Sequence, residues 1–334
     1  MERIAFLLER ADEPTYRVRA FRGAADVLRE LAPGELERRV AAGTLQELPG
    51  IGKVTATAIA EAYAGEVPVY LRRLEATEGT DLSAAAAELR AALRGDLHSH
   101  SDWSDGGSPI EVMAATARDL GHAYQAVTEH SPRLRVANGL SAERLRKQLG
   151  VVRELNEQLA PFRLLSGIEV DILADGSLDQ DEDLLDQLDV VVASSHSKLD
   201  LPEREMTKRM VLAVANPRVD VLGHCTGRKI KGKRRNESTF DAEIVFEACR
   251  RFGVAVEINC RADRQDPPKR LLRLAVEAGC IFTIDTDAHA PGQLDWQPSG
   301  CERAVLCGVP QERIVNTWSP DQLLAWTRDR ELPG

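Results

Sequence analysis

The sequence predicts an α/β chain with a small all-α domain over residues 1–77, a linker over 78–92, and a closed or nearly closed barrel of seven parallel strands over 93–334. Three observations carry this expectation. Before residue 80 the apolar residues recur only at helical spacing. After residue 94, seven apolar runs rich in β-branched residues alternate with helical segments. Six of the seven histidines fall at the ends of those runs.

In chain order, Ile4, Ala5, Leu7 and Leu8, then Phe21, Ala24, Ala25, Val27 and Leu28, repeat at the spacing of one helix face, with Pro14, Pro33 and Pro49 as breaks. Residues 78–87 read as a linker running into a short helix. The strand runs follow at 94–98, 124–130, 162–170, 189–196, 219–224, 254–259 and 281–287. Continuous apolar strands separated by helices indicate a parallel sheet covered on both faces, and seven such units suggest a βα barrel. There is no internal repeat and no low-complexity tract. One dense basic run, 228–235, directly follows the fifth strand.

The composition narrows the class. With 334 residues, 43% of them hydrophobic, there is ample material for a core, and 29% charged residues with a net charge of −10 suit a protein in water. No apolar run approaches the roughly 18 residues of a membrane span, and the N-terminus lacks a signal-peptide pattern, so the expected location is cytoplasmic. The six cysteines form no CxxC pair and are expected to be reduced. The acidic balance argues against wholesale wrapping of nucleic acid but leaves room for a local grip on DNA.

Candidate metal ligands close all but the sixth run: His98, His100 and nearby Asp105 after the first, His130 after the second and Glu169 in the third. His196, His224, and Asp287 with His289 follow the fourth, fifth and seventh. The C-terminal strand ends of a parallel barrel converge on one mouth, so ligands distant in sequence meet there. A histidine at a strand end is ordinarily structural. Six of seven at strand ends, with only His122 elsewhere, is a pattern that structure alone does not require. Imidazole and carboxylate suit zinc, manganese or iron, and a carboxylate can bridge two cations. Cations so held acidify a water and neutralise charge on a phosphoryl group. Arg133, Arg135, Lys198, Arg228 and Arg261 follow strand ends and are candidate phosphate-binding groups, against the alternative of ordinary solvated charges.

The motifs DLHSHSDWSDG, TEHS, GIEVDIL, ASSHS, GHCTGR and DTDAH resemble the PHP (polymerase and histidinol phosphatase) superfamily. SPRLRVANGLS and GIEVDILADGSLD are more similar to the PHP domain of bacterial family X DNA polymerases than to histidinol phosphatases. The resemblance implies a distorted seven-stranded barrel with three divalent metal ions. It assigns His98, His100, Glu169 and Asp287 to the first, Glu169, His196 and His224 to the second, and Asp105, His130 and His289 to the third. Glu169, as the bridge, with Asp287 and His196, would carry catalysis. The sequence departs from the family at Glu129, where Asp is more usual, at Cys225, where Pro is common, and at residues 260–263, Cys-Arg-Ala-Asp, in place of an Asn-Pro stretch.

Residues 48–59, LPGIGKVTATAI, resemble a helix-hairpin-helix motif, and residues 16–22 resemble the early helix of the same polymerases. The resemblance implies a DNA-gripping domain. Gly50 and Gly52 would let a phosphate approach the backbone, helix-terminal amides would donate to it, and Lys53 would add charge. Lys53 is the only lysine before Lys147, so lyase chemistry is not expected. The interval 78–93 leaves no room for a polymerase carboxylate cluster, so polymerase activity is not expected either.

The expected function is a metal-dependent DNA phosphoesterase: a 3′-5′ exonuclease, a 3′-end trimming enzyme or an abasic-site nuclease, with DNA as partner and a DNA polymerase or repair protein as a further candidate. The alternatives are a phosphatase of a small phosphomonoester such as histidinol phosphate, and a non-catalytic DNA-binding scaffold.

Overall fold

The computed structural model describes residues 1–77 and 82–328 and divides into two compact units, Met1–Asp81 and Leu82–Gly334. The first unit is all-helical: α1 (Glu2–Arg10), α2 (Thr15–Glu30), α3 (Glu35–Ala42), α4 (Lys53–Tyr63) and α5 (Val69–Thr77). The faces read from the sequence are the buried ones. Ile4, Ala5 and Leu8 pack with Val18, Phe21 and Ala58, while Ala24 packs with Leu45, Ile51, Ala56 and Ile59. Glu9, almost fully buried, is held by both Arg22 Nε and Nη2 at 2.8 Å, a paired and fully bonded charge of the kind an interior tolerates.

Between α3 and α4 the chain turns through residues 48–52. Gly50 has φ +86°, which favours glycine, and Ile51 anchors the turn in the core. Gly52 needs no glycine for its own backbone: its φ is −89° and a Cβ there would meet nothing within 4 Å. Thr55 Oγ1 accepts from Gly52 N at 2.9 Å, which leaves the next amides of α4 at an exposed helix start beside the exposed Lys53.

In the second unit α6 (Ala84–Ala92) is followed by β1 (Gly95–Asp96), α7 (Ile110–Asp119), β2 (Tyr124–Val127), α8 (Ala142–Leu159), β3 (Arg163–Asp171), α9 (Glu182–Leu185), β4 (Val190–Ser194) and α10 (Glu203–Val214). Then come β5 (Val221–Leu222), α11 (Ala242–Phe252), β6 (Ala255–Asn259), α12 (Lys269–Glu277), β7 (Phe282–Asp285), α13 (Gln297–Leu306) and α14 (Pro320–Arg328). Of the stretch read as linker, residues 78–81 lie outside the described residues. Residues 82–92 group with the barrel instead, because Ala86, Leu89 and Leu93 are buried in its main core and Ser83 caps α6 while its Oγ donates to Glu302 at 2.9 Å.

All seven strands pair in parallel in the order β1 to β7. The ladders occupy the apolar centres of the runs read from the sequence. Their ends project past the ladder, which is why most of the chemistry-bearing residues sit just beyond the hydrogen-bonded segments. Side chains alternate across each strand. Val191, Ala193, Val256, Ile258, Phe282 and Ile284 join the helix-facing core, while Val190, Val192, Val221 and Ala255 pack with Leu97, Tyr124, Val315 and Leu323.

β7 and β1 share no ladder, yet the barrel is nearly closed between them. Asp285 Oδ1 accepts from Leu97 N at 2.8 Å, Asp96 accepts from Thr286 N at 3.3 Å, and Ala288 O accepts from His100 N at 2.8 Å. Two buried carboxylates thus replace the missing ladder, and burial together with their mutual repulsion raises Asp96 well above its ordinary range. Among the described residues no helix is long and apolar enough to cross a membrane. All six cysteines are buried free thiols.

Candidate metal centre

Glu169 is the second inward position after Leu165 on β3, with only Gly167 between, and its carboxylate lies at the centre of the mouth, fully buried. Its two oxygens face different partners. Oε1 lies 2.8 Å from His224 Nε2 and 3.1 Å from His196 Nε2. Oε2 lies 2.8 Å from His130 Nδ1, 3.4 Å from His98 Nε2 and 3.6 Å from His100 Nε2. Asp287 Oδ1 approaches His100 Nε2 at 3.4 Å, and Asp105 Oδ1 lies 3.4 Å from both His130 Nε2 and His289 Nε2. Neighbouring imidazole centroids are 4.3–6.1 Å apart.

The structure therefore brings all nine sequence-nominated side chains to one mouth. Three sets offer ligand atoms within 4.8 Å of one another: His98, His100 and Asp287; His130, Glu169 and His196; and His100, Asp105, His130 and His289. This grouping differs from the expected one: His100 and His130 each join two sets, Glu169 joins one rather than two, and His224 joins none, although its Nε2 lies 2.8 Å from Glu169 Oε1. Asp287 adopts φ +51°, a left-handed conformation that Asp tolerates better than most residues, and this aims its carboxylate back into the barrel.

A shared cation fits this donor set. His98 Nε2, both ring nitrogens of His100 and His196, His130 Nδ1, His224 Nδ1 and Glu169 Oε2 are buried without a hydrogen-bond partner among the described residues. Each such group ordinarily costs on the order of 1–3 kcal/mol. Most of them lie close to one another, and their lone pairs miss hydrogen-bond alignment, as ligand atoms aimed at a common point do.

The protonation pattern fits as well. Burial would raise Glu169 and Asp287, yet His196, His130 and His98 around the first, and Arg261 and His98 around the second, hold both well below the carboxylate range. Burial opposes charge on His130, but Glu169 and Asp105 push it up to about 10. Burial, with His289 and His130, pushes His100 well down, and burial with Arg264 lowers His224 to about 3. Without cations the cluster holds protons on only some of its imidazoles. Cations would displace those protons.

Several residues that the sequence did not nominate orient this set. Glu257 on β6 accepts from the His98 ring, Nδ1 to Oε1 at 2.6 Å, and from His224 N at 2.5 Å. Asp171 accepts from His196 N at 3.0 Å, and Asn259 Nδ2 donates to Asp287 at 3.1 Å. Glu129 accepts from Ser101 N at 3.0 Å and from Gln148 Nε2 at 3.3 Å, and burial raises it to about 7. Such outer partners fix ring orientation and ligand basicity. Glu257 and Asn259 alternate with Val256 and Ile258, and that polar alternation inside a buried strand was their only trace in the sequence.

The nominated cations divide. Arg261 reaches the centre, with Nη1 3.0 Å from His289 Nδ1 and 3.7 Å from Asp287 Oδ1, while its Nε pairs with Asp263 at 3.1 Å. Arg133 is exposed and pairs with Asp179 at 3.3 Å, and Arg135 and Lys198 are exposed. Arg228 departs from expectation. Its Nε donates to Arg264 O at 2.9 Å, its Nη1 lies 3.3 Å from Glu237, and its Nη2 donates to Gln265 O, so its donors tie two loops together and leave little for a phosphate. The cation missed by sequence reasoning is Arg264. It is 8% exposed, its Nε lies 3.3 Å from Asp287 Oδ2, and Nε and Nη1 have no hydrogen-bond partner among the described residues.

Comparison with known proteins supplies an independent line. The helix-hairpin-helix domain family matches residues 1–66, and the PHP domain family matches residues 96–275. The chain is 42% identical over 227 residues to the DNA polymerase/3′-5′ exonuclease PolX of Bacillus subtilis strain 168, a match covering 68% of this chain but only 40% of that protein. It is 27% identical over 233 residues to a protein of Thermoanaerobacter sp. strain X514 named "Probable phosphatase", covering 66% of this chain and 89% of that one. The crystal structure of histidinol phosphate phosphatase from Lactococcus lactis, complexed with zinc, L-histidinol and phosphate, aligns with a TM-score of 0.45 and 18% identity over 64% of this chain and 92% of that chain.

Proposed function

This chain belongs to the PHP domain family, and from that premise we propose that it is a metal-dependent phosphoesterase acting on DNA, either at 3′ ends or at abasic sites. The observation that carries the reading is the divided environment of Glu169, two oxygens facing five imidazoles, in the same chain as a helix-hairpin-helix domain. Three sets of side chains would hold the cations: His98, His100, Glu169 and Asp287; Glu169, His196 and His224; and Asp105, His130 and His289. When bound, divalent cations acidify water and neutralise phosphoryl charge, the chemistry a phosphoester demands.

The protein's own groups supply the rest. Glu257 holds the His98 ring, and Asp171 holds the backbone at His196. Arg264 and Arg261 bring guanidinium donors to the same carboxylate, Asp287, where they can bind phosphate oxygens in a charge-assisted, planar manner. Gly50, Gly52, Lys53 and the start of α4 form a separate grip on the nucleic-acid backbone.

A second reading, a phosphatase of a small monoester such as histidinol phosphate, draws on the relative named "Probable phosphatase", 89% of whose length is aligned. The two separate experimentally. Under the DNA reading, Lys53→Ala weakens DNA binding and makes its salt dependence shallower by about 0.7–0.9 for one lost phosphate contact, while hydrolysis of a chromogenic phosphate ester is unchanged. Efficient turnover of histidinol phosphate by a protein that neither binds nor cuts any DNA end would establish the small-ester reading instead.

A further inference from the structure

The basic run at 228–235 has a defined shape. Lys229 N donates to Arg235 O at 2.9 Å and Arg235 N to Lys229 O at 3.0 Å, closing a narrow hairpin whose turn includes Gly232 at φ +63°. Its root is fastened to the metal mouth. Ile230 N donates to Asp263 O at 2.7 Å, Lys229 Nζ lies 3.4 Å from Asp263 Oδ2, and Asp263 also holds Arg261, which touches His289. Arg235 Nε donates to Gly227 O at 2.5 Å, three residues past His224. At the tip, Lys231, Lys233 and Arg234 are exposed, and among the described residues no carboxylate pairs with them.

We propose that this hairpin is a second grip for the phosphate backbone of a nucleic acid, built into the barrel unit beside its mouth and independent of the helix-hairpin-helix. The inference deepens the DNA reading above and rests on it. Three cations crowded on a short turn repel one another, and a chain of net charge −10 offers many carboxylates that could have compensated them. They remain free on a hairpin held in place at its base, an arrangement suited to a polyanion. The reach also matters. Lys229 and Ile230 meet Asp263 and the chain turns back at Gly232, so the tip lies two to three residues out, at most roughly 7–10 Å at about 3.3 Å per residue. That overshoots a single phosphate seated among the metal ligands. It matches the next two to three phosphates of a strand, spaced about 3.4 Å apart along a duplex axis.

The test uses the full chain carrying Lys231→Ala, Lys233→Ala and Arg234→Ala together, compared with wild type and with Lys53→Ala. Binding of a labelled single-stranded DNA is measured by fluorescence anisotropy from 50 to 200 mM salt, alongside kcat/KM for a chromogenic phosphate ester. Losing three phosphate contacts makes the salt slope shallower by about 2 units, against about 0.7 for Lys53→Ala. Wild type then loses about 20-fold more affinity than the triple variant across that salt range. Ester hydrolysis is unchanged, and the control pair Lys231→Arg and Lys233→Arg keeps the wild-type slope. A wild-type slope in the triple variant, with Lys53→Ala still shallower, overturns the hairpin grip and leaves the DNA reading intact. A triple variant impaired on the small ester overturns it too, because the hairpin would then be supporting the mouth. Failure of wild type to bind any DNA overturns both.

Discussion

Replacing Glu169 with Gln keeps the size and burial of the side chain but removes the charge that five imidazoles surround. In the wild type, one oxygen serves His196 and His224 at 3.1 and 2.8 Å, and the other serves His98, His100 and His130 at 2.8–3.6 Å. The amide offers a neutral oxygen to one group and an NH2 donor, which cannot ligate, to the other. Loss of a single supporting partner costs about 10–100-fold in metal affinity or activity, so if Glu169 holds two cations, as proposed, the loss compounds to about 10²–10⁴-fold. The assay is metal stoichiometry by mass spectrometry after dialysis, with kcat/KM on a chromogenic phosphate ester while metal is titrated. Excess metal restores activity in part. A second readout is independent of metal: Glu169 raises His98, His130 and His196, so in stripped protein the imidazole titrations move to lower pH in the variant. Wild-type turnover at wild-type metal content, with unmoved imidazole titrations, would refute the bridging role.

Other predictions follow from groups around the centre. Arg264→Ala removes a buried guanidinium that faces Asp287 and whose Nε and Nη1 make no hydrogen bond among the described residues. It lowers kcat/KM for a phosphate ester by about 10–150-fold, the equivalent of 1.5–3 kcal/mol for a charged hydrogen bond, with partial recovery in Arg264→Lys. Unchanged kinetics would return Arg264 to a purely structural role. Burial and Arg90 depress His122 to about 3, so the folded protein keeps it neutral while the unfolded chain takes up a proton near its ordinary 6.5. Its contribution is present above pH 6.5 and is lost as pH falls toward 3, at most about 5 kcal/mol at 1.36 kcal/mol per unit. In chelator, His122→Gln therefore unfolds in urea with a flatter acid dependence than wild type, and parallel curves would contradict this.

The barrel and the metal ligands were legible for the same physical reason. A strand buried on both faces is mostly apolar along its ladder, so polar residues concentrate where the apolar run ends, and those ends converge. His98, His130, His196 and His224 each close one of the seven runs, and reading the run located the residue. Glu257 and Asn259 were not legible because they point inward from within a strand, among residues that read as core. The cations divided by direction rather than by position. Arg228 and Arg264 both follow strand ends, yet the backbone carbonyls that capture Arg228 belong to residues 264 and 265, and no local pattern announces that contact. Residues 82–92 read as linker because alanines dominate them. Their burial depends on helices more than 200 residues away, with Glu302 binding Ser83.

If the nine side chains form a cation centre that hydrolyses phosphoesters, stripping the purified chain with chelator and titrating back manganese or zinc, while following bound metal per chain and turnover of a phosphate ester, reveals it. The stripped protein is expected to be inactive with its helical unit intact, and activity to return only as the stoichiometry rises to two or three ions per chain. Full activity in protein that carries no metal would contradict it.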